Sequence, residues 1–352
     1  MSTLTVGDAV LTSINGAGYA RNYLSNGDMQ VASRGVSFTS GANNDDVYTL
    51  DQWVLLSDGN DVVDVTQNTA QAPTNQKYCM ALDVETANKK FGVLQIIENK
   101  DCYGLIGDTV TFSFKAKVSA TTNLDNIKAA IITWSGTADS VTSDVVSAWA
   151  VEGTNPTLAT NWTYENTPSD LNVTTSWATY SVSAAVDTSS AANVAVFIWS
   201  DVTTVSAGEF LYITDCQLEQ GSTASTYSRQ PYSSELARCQ RYFFSVTGDN
   251  NDDTYFPGTA VTADYVAFGI NFPQPMRATP TFTGSSTNVR FYTNDNSNNF
   301  TATNLSVRGA MTQSDPTGVM LIYGSAGGMT ANSGGLLQFQ ADSGYLYFSA
   351  EL

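Results

Sequence analysis

Between Asp108 and Ala120 the chain alternates, with Val110, Phe112, Phe114, Ala116 and Val118 on one face and Thr111, Ser113, Lys115 and Lys117 on the other. A period of two with one apolar face is the pattern of a half-buried antiparallel strand. Shorter runs at Gly92–Glu98, Ile127–Trp134, Trp177–Val186, Asn193–Trp199 and Glu209–Gln217 read the same way, with turn-forming residues between them. Their spacing predicts an all-β chain built on a jelly-roll β-sandwich rather than a doubly wound sheet. In the last run Phe210, Tyr212, Thr214 and Cys216 alternate with Leu211, Ile213, Asp215 and Gln217, which predicts a single phase throughout. No run of ~10 residues keeps a helical period. Residues 135–175 carry few strand signals but hold Trp149, Trp162 and Tyr164, the mark of a surface excursion with a role.

The small, polar residues from Gly221 to Ser228 read as a linker. Ser233 or Ser234 is expected to cap a short helix through Glu235–Cys239, with Glu235 near its positive end. Further strands are expected near Val289–Thr293, Gly318–Tyr323, Leu336–Ala341 and Tyr345–Ala350. The expected organisation is an N-terminal arm over 1–20, suited to docking, and a jelly-roll sandwich over 21–220. A linker with a short helix over 221–244 then leads to a smaller C-terminal β-sandwich domain over 245–352.

Composition narrows the function classes. The formal net charge is -18, from 15 basic and 33 acidic residues, which disfavours nucleic acid and anionic membrane surfaces as partners. The chain has no histidine, so Ser-His-Asp and Cys-His chemistry cannot occur, and the commonest ligand of zinc, copper and iron is missing. Its four cysteines, Cys79, Cys102, Cys216 and Cys239, lack paired zinc-site spacing and read as buried thiols, with a Cys79–Cys102 or Cys216–Cys239 bridge as the alternative. Neither an export signal nor ~20 consecutive apolar residues is visible, so membrane insertion is not expected.

Two stretches resemble known sequences. Asn22 to Gly35, with the form NxLxNGDxQVxxRG, and the DxW strand starting at Asp51 are similar to the opening of a jelly-roll module of bacteriophage tail-fibre and virion proteins. That module is itself similar to β-sandwich carbohydrate-binding modules. The order QLExG, Arg-x-Pro, ExxxCQRY resembles the same class, through Gln217, Leu218, Glu219, Gly221, Arg229, Pro231, Glu235, Leu236, Cys239, Gln240, Arg241 and Tyr242. Phe272-Pro273 and Pro275 to Pro280 resemble its PxPMRxxP segment. The resemblance implies a virion protein of tail-fibre or adhesin type, without enzymatic activity and with no required cofactor, which attaches to a host-surface glycan. It also implies a homotrimer, contacts with other virion proteins and residence in the virion. A purely structural virion component and a glycan-degrading depolymerase are the alternatives.

Candidate sites arise from both readings. Trp149, Trp162 and Tyr164 could offer flat rings to a sugar or could pack, whereas Trp53, Trp134, Trp177 and Trp199 are expected in the core. The carbohydrate-module resemblance implies a structural calcium linking the first strand to the last, with Asp28 and Asp215 at the matching places. Acidic turns at Asp58–Asp61, Asp249–Asp253 and Asn294–Asn296 offer oxygen ligands, but no glutamate closes a twelve-residue calcium loop. No catalytic residue is assigned.

Overall fold

The computed structural model describes residues 5–6, 9–10, 22–187, 190–248, 255–285, 289–293, 299–301, 304–307, 319–325, 327–339 and 344–352. The expected arm falls mostly outside them, although β1 (Thr5–Val6) and β2 (Ala9–Val10) pair there, and the acidic turns at 249–253 and 294–296 also lie outside. The sandwich is built from β3 (Ser37–Phe38), β4 (Val47–Tyr48), β5 (Val54–Ser57), β6 (Val63–Asn68), β7 (Cys79–Val84) and β8 (Phe91–Ile97). After one helical turn, α1 (Asn99–Cys102), come β9 (Thr109–Val118), β10 (Ile127–Trp134), β11 (Val146–Ala148), β12 (Thr157–Leu158) and β13 (Trp162–Tyr164). It closes with β14 (Ala178–Ala185), β15 (Asn193–Ser200) and β16 (Phe210–Gln220).

Two six-stranded sheets form, ordered β13-β10-β15-β8-β5-β4 and β14-β9-β16-β7-β6-β3, and every ladder is antiparallel. This is a jelly-roll sandwich. The alternation of β9 explains how the sheets meet: Val110, Phe112, Phe114, Ala116 and Val118 all enter the core with Val93, Ile131 and Ile198 of the facing sheet. All four cysteines are free and buried.

A second apolar cluster lies on the outer face of the β10-β15-β8 sheet. Leu94, Ile96, Ala130, Ile132, Phe197 and Trp199 pack there under the excursion, together with Trp134 and Trp162. The excursion is more ordered than its sequence suggests, since β11 pairs β12 and β13 extends the sheet at β10. One sheet of the sandwich is therefore covered on both faces.

Helix α2 (Tyr232–Gln240) leads into β17 (Phe243–Thr247), β18 (Tyr255–Ala260), β19 (Tyr265–Asn271), β20 (Thr281–Gly284) and β21 (Val289–Thr293). Next come β22 (Asn299–Thr301), β23 (Asn304–Val307), β24 (Val319–Ser325), β25 (Gly334–Phe339) and β26 (Tyr345–Ser349). They form a three-stranded sheet, β17-β26-β20, and a seven-stranded one, β22-β21-β25-β18-β19-β24-β23. The helix begins earlier than expected. Pro231 is its N-cap and no side chain caps it, so neither Ser233 nor Ser234 has the capping role. Glu235 turns away from the helix end, accepting the Asn26 amide at 2.5 Å and pairing with Arg238 at 2.9 Å.

The motif residues build the joint between the sandwich and the C-terminal strands. Glu219 accepts from the Ser225 amide and from Gln217, while Gln217 in turn holds Ser228, tying the threonine-rich turn to the last strand. Arg241 forks onto Glu98, donating at 2.9 Å to Oε1 and 3.1 Å to Oε2, and the Tyr242 hydroxyl adds a bond at 3.2 Å. On the other side Arg277 donates to the carbonyls of Ala350 and Glu351, and Glu351 binds Arg34 and Gln52 of the sandwich. The Arg34 guanidinium lies 3.6 Å from the centroid of Phe243.

Burial would raise the Glu98 carboxyl, but the Arg241 hydrogen bonds and charge, with Lys100, outweigh it and hold the group below its ordinary 4.5. A depressed carboxyl contributes stability that is complete above its unfolded value and is lost as pH falls through the folded one. Glu98→Gln should therefore unfold with a shallower loss of stability below pH 4.5 than the parent chain, followed by denaturant titration across that range. Parallel curves would show that the fork contributes nothing to acid stability.

Candidate functional site

The outer face of the second sheet is exposed along β14, at Thr179, Ser181 and Ser183, and buried along β16, at Tyr212, Thr214, Gln217 and Glu219, and β16 shapes it. Leu211 and Ile213 point into the core as the alternation predicts, yet Cys216 and Leu218 do so as well. The single phase expected from the sequence is thus broken. The register of β16 against β9 shifts between Thr214 and Gln217, and Asp215 takes a left-handed φ of 54°. A bulge of this kind inserts one extra residue and re-aims the side chains beside it. Its consequence is that Tyr212, Thr214, Gln217 and Glu219 stand across from Lys117, Lys115, Ser113 and Thr111 of β9.

Asp215 at the bulge faces a cleft of about 510 Å³ lined by Gln76, Ser113, Lys115, Thr179, Tyr227 and Arg229, among others. That size falls within the range of small-ligand sites. Lys115 approaches Asp215 Oδ2 at 2.8 Å and Gln76 donates to Oδ1 at 2.5 Å. Burial raises the Asp215 carboxyl above its ordinary value, with Lys115 opposing the shift.

An aromatic row abuts the cleft. Thr179 pairs with Lys115, and two residues earlier on the same face stands Trp177, half-buried, its centroid 6.5 Å from Tyr212. Phe210 stacks on Tyr212 at 5.5 Å and 5°, and because Tyr212 is itself buried at 7% exposure, only Phe210 and Trp177 keep part of their rings exposed. Lys117 lies over Tyr212 at 4.9 Å and over Trp177 at 5.4 Å. The Trp177 indole N–H donates to the Gln71 carbonyl, which fixes the ring. Fixed rings flanked by amines, amides and hydroxyls are what a sugar needs: apolar C–H faces to stack and hydroxyls to bond.

The residues expected to form a platform sit elsewhere. Trp162 is buried at 4% exposure, its ring tilted 53° against Trp134 at 5.5 Å, and its N–H donates to the Thr142 carbonyl. Trp149 packs 6.2 Å from Phe197, and Tyr164 lies 6.3 Å from Trp199 with its hydroxyl on the Pro156 carbonyl. Trp162 is buried under the excursion, whereas Trp149 and Tyr164 pack against the covered sheet and remain half-buried, as Trp177 is. Trp53, Trp134 and Trp199 are buried as expected, but Trp177 is not a core residue.

Asp28 and Asp215 do stand where the first segment meets the last strand, since the Cys216 amide donates to the Gly27 carbonyl at 2.9 Å. Each carboxylate already has a cation: Arg229 at 2.9 Å from Asp28 and Lys115 at 2.8 Å from Asp215. Asp28 Oδ1 is buried without a hydrogen-bond partner, but one free oxygen beside two fixed cations does not fit the six to eight oxygen ligands of calcium. No group of three or more Cys, Asp or Glu side chains at metal-binding distance occurs among the described residues. A chelator is accordingly expected to leave the melting temperature unchanged in differential scanning fluorimetry, and a drop reversed by added calcium would reinstate the ion.

The geometry defines an antiparallel jelly-roll sandwich with a polar cleft and two half-buried aromatic rings on its second sheet. No protein-family model matches the chain, and no curated protein matches it. Among solved structures, the enzymatically active domain of bacteriophage CBA120 tailspike protein 4 is similar at 16% identity over 56% of this chain and 21% of that one, TM-score 0.34. The chain thus spans about a fifth of that tailspike structure. The CBM22-1 xylan-binding domain of Paenibacillus barcinonensis Xyn10C is similar at 12% identity over 58% of this chain and 97% of that one, TM-score 0.33. TmCBM61, in complex with β-1,4-galactotriose, is similar at 13% identity over 57% of this chain and 100% of that one, TM-score 0.31.

Proposed function

We propose that the chain is a non-enzymatic attachment protein of a bacteriophage particle, which holds a surface glycan on the second sheet of its sandwich. The observation that carries the binding reading is the half-buried pair Trp177 and Phe210, packed on buried Tyr212 beside the cleft at Asp215, with Lys115 and Lys117 near them. The particle reading rests on the QLExG, RxP and ExxxCQRY resemblance. The non-enzymatic reading is supported by the cleft itself, where Asp215 is the one carboxylate among the described lining residues and is paired with Lys115. Glycoside hydrolysis by the usual route needs two.

A purely structural role is favoured by a different observation. Glu219, Glu235, Arg241 and Arg277 all hold the joint, so most of the family-like residues serve rigidity, with Arg229 at the cleft the exception. Binding of the purified chain to an array of bacterial surface polysaccharides separates the two. Retention on a defined glycan, weakened by Trp177→Ala, is expected, and no retention on any host polysaccharide would leave the structural reading. The homotrimer implied by the resemblance is read from the same preparation by light scattering.

A further inference from the structure

A buried polar cluster at one end of the covered sheet belongs neither to the cleft nor to the joint. Lys90, just before β8, and Lys128, on β10, both reach Asp201, at 2.5 Å to Oδ1 and 2.8 Å to Oδ2. The three side chains are 2%, 7% and 0% exposed. Lys128 Nζ also donates to Asn155 Oδ1 at 3.1 Å, and the Gly153 amide donates to Asp201 Oδ2 at 2.9 Å. Gly153 and Asn155 belong to the excursion that roofs this sheet, while Trp199 stands beside Lys128 in the ladder.

Two ammonium groups here share one carboxylate in a place nearly closed to water, an arrangement left with one uncompensated positive charge. A reaction that discharges one lysine would leave a balanced Lys90–Asp201 pair. A partner for it is within reach, because the Asn155 carbon lies no more than one C=O bond beyond an oxygen 3.1 Å from Nζ.

We propose that Lys128 and Asn155 join in an intramolecular isopeptide bond, with Asp201 relaying the protons. Lys128 Nζ gives a proton to Asp201 Oδ2 and its freed electron pair attacks Cγ of Asn155. The new N–C bond forms as the Cγ–Nδ2 bond breaks, and that bond's electron pair leaves on Nδ2. Nδ2 collects the relayed protons and departs as ammonium. An ammonium and a carboxamide thus become a secondary amide and an ammonium ion, with no oxidant, reductant or water consumed. The bond would fasten the excursion, with Trp149 and Trp162, to the sheet it covers.

The test is mass spectrometry of the purified full-length chain. The expected intact mass is one ammonia below the sequence mass, and digestion should yield one branched peptide joining Lys128 to Asn155. Asn155→Ser alters only a half-buried loop residue and should restore the sequence mass together with linear peptides, as should Asp201→Asn if that variant folds. Recovery of Lys128 and Asn155 in separate linear peptides from the parent chain overturns the proposal. So does a deficit of one water, which would place the amide at Asp201, or an ammonia deficit that maps to another asparagine.

Discussion

Gly27→Ala is expected to lower the melting temperature of the sandwich by about 10 °C or more. A Cβ at this position would lie 2.1 Å from the Cys216 carbonyl oxygen and 3.1 Å from its carbon, both backbone atoms that no rotamer change can move aside. The Gly27 carbonyl meanwhile accepts the Cys216 amide, Asn22 donates to the Cys216 carbonyl at 3.0 Å, and the Tyr23 amide donates to the Leu218 carbonyl at 2.9 Å. Separating the segment from β16 would leave these buried groups unpaired. Steric displacement plus lost buried hydrogen bonds is the kind of change that costs about 4 kcal/mol or more, against a total stability of about 5–15 kcal/mol. Circular dichroism during heating measures it. A melting temperature within a few degrees of the parent would mean that the first segment does not pack on the bulged strand.

Trp177→Ala is expected to weaken oligosaccharide binding several-fold, up to about tenfold, while leaving the fold intact, because the ring is half-buried at the surface and stacking is worth about 0.5–1.5 kcal/mol beyond its buried area. Trp149→Ala is expected to do the opposite. Its ring packs on Phe197 beneath the excursion, so the variant should melt earlier and bind as the parent does. Titration calorimetry with an oligosaccharide retained on the array, run beside thermal unfolding, separates the two effects. If Trp149→Ala abolished binding at an unchanged melting temperature, the site would lie on the covered sheet.

The sandwich is readable in the sequence because its strands obey local rules. β9 shows its core face residue by residue, and the strong runs near 92, 127, 193 and 210 are all strands. The site is not readable, and one residue explains much of that. Asp215 adopts a left-handed conformation that nothing in an otherwise regular alternation announces, and from it onward the faces of β16 are exchanged. An aspartate in the middle of an apolar run is the available signal, since Asp and Asn tolerate that conformation better than other non-glycine residues.

The tryptophans mislead for a related reason. Irregular sequence around Trp162 leaves exposure and packing both open, and the excursion folds back on an apolar sheet face that no local pattern reveals. Trp177 precedes a strand whose alternate residues Thr179, Ser181 and Ser183 are all exposed, which places it on the polar face despite its size. The cap of α2 departs from expectation because Pro231 already sets the helix entrance. Glu235 and Arg238 are instead drawn to the first segment, about two hundred residues away in sequence.

The central claim is that a glycan is held at Trp177 and the neighbouring cleft. The chain contains six tryptophans, so a nitrogen–proton correlation spectrum carries six indole signals that can be monitored while an oligosaccharide is added. The Trp177 signal should shift with saturation, together with backbone amides near Lys115 and Asp215, while those of Trp53, Trp134, Trp149, Trp162 and Trp199 stay in place. Shifts at Trp149 or Trp162 with Trp177 unmoved would contradict the account.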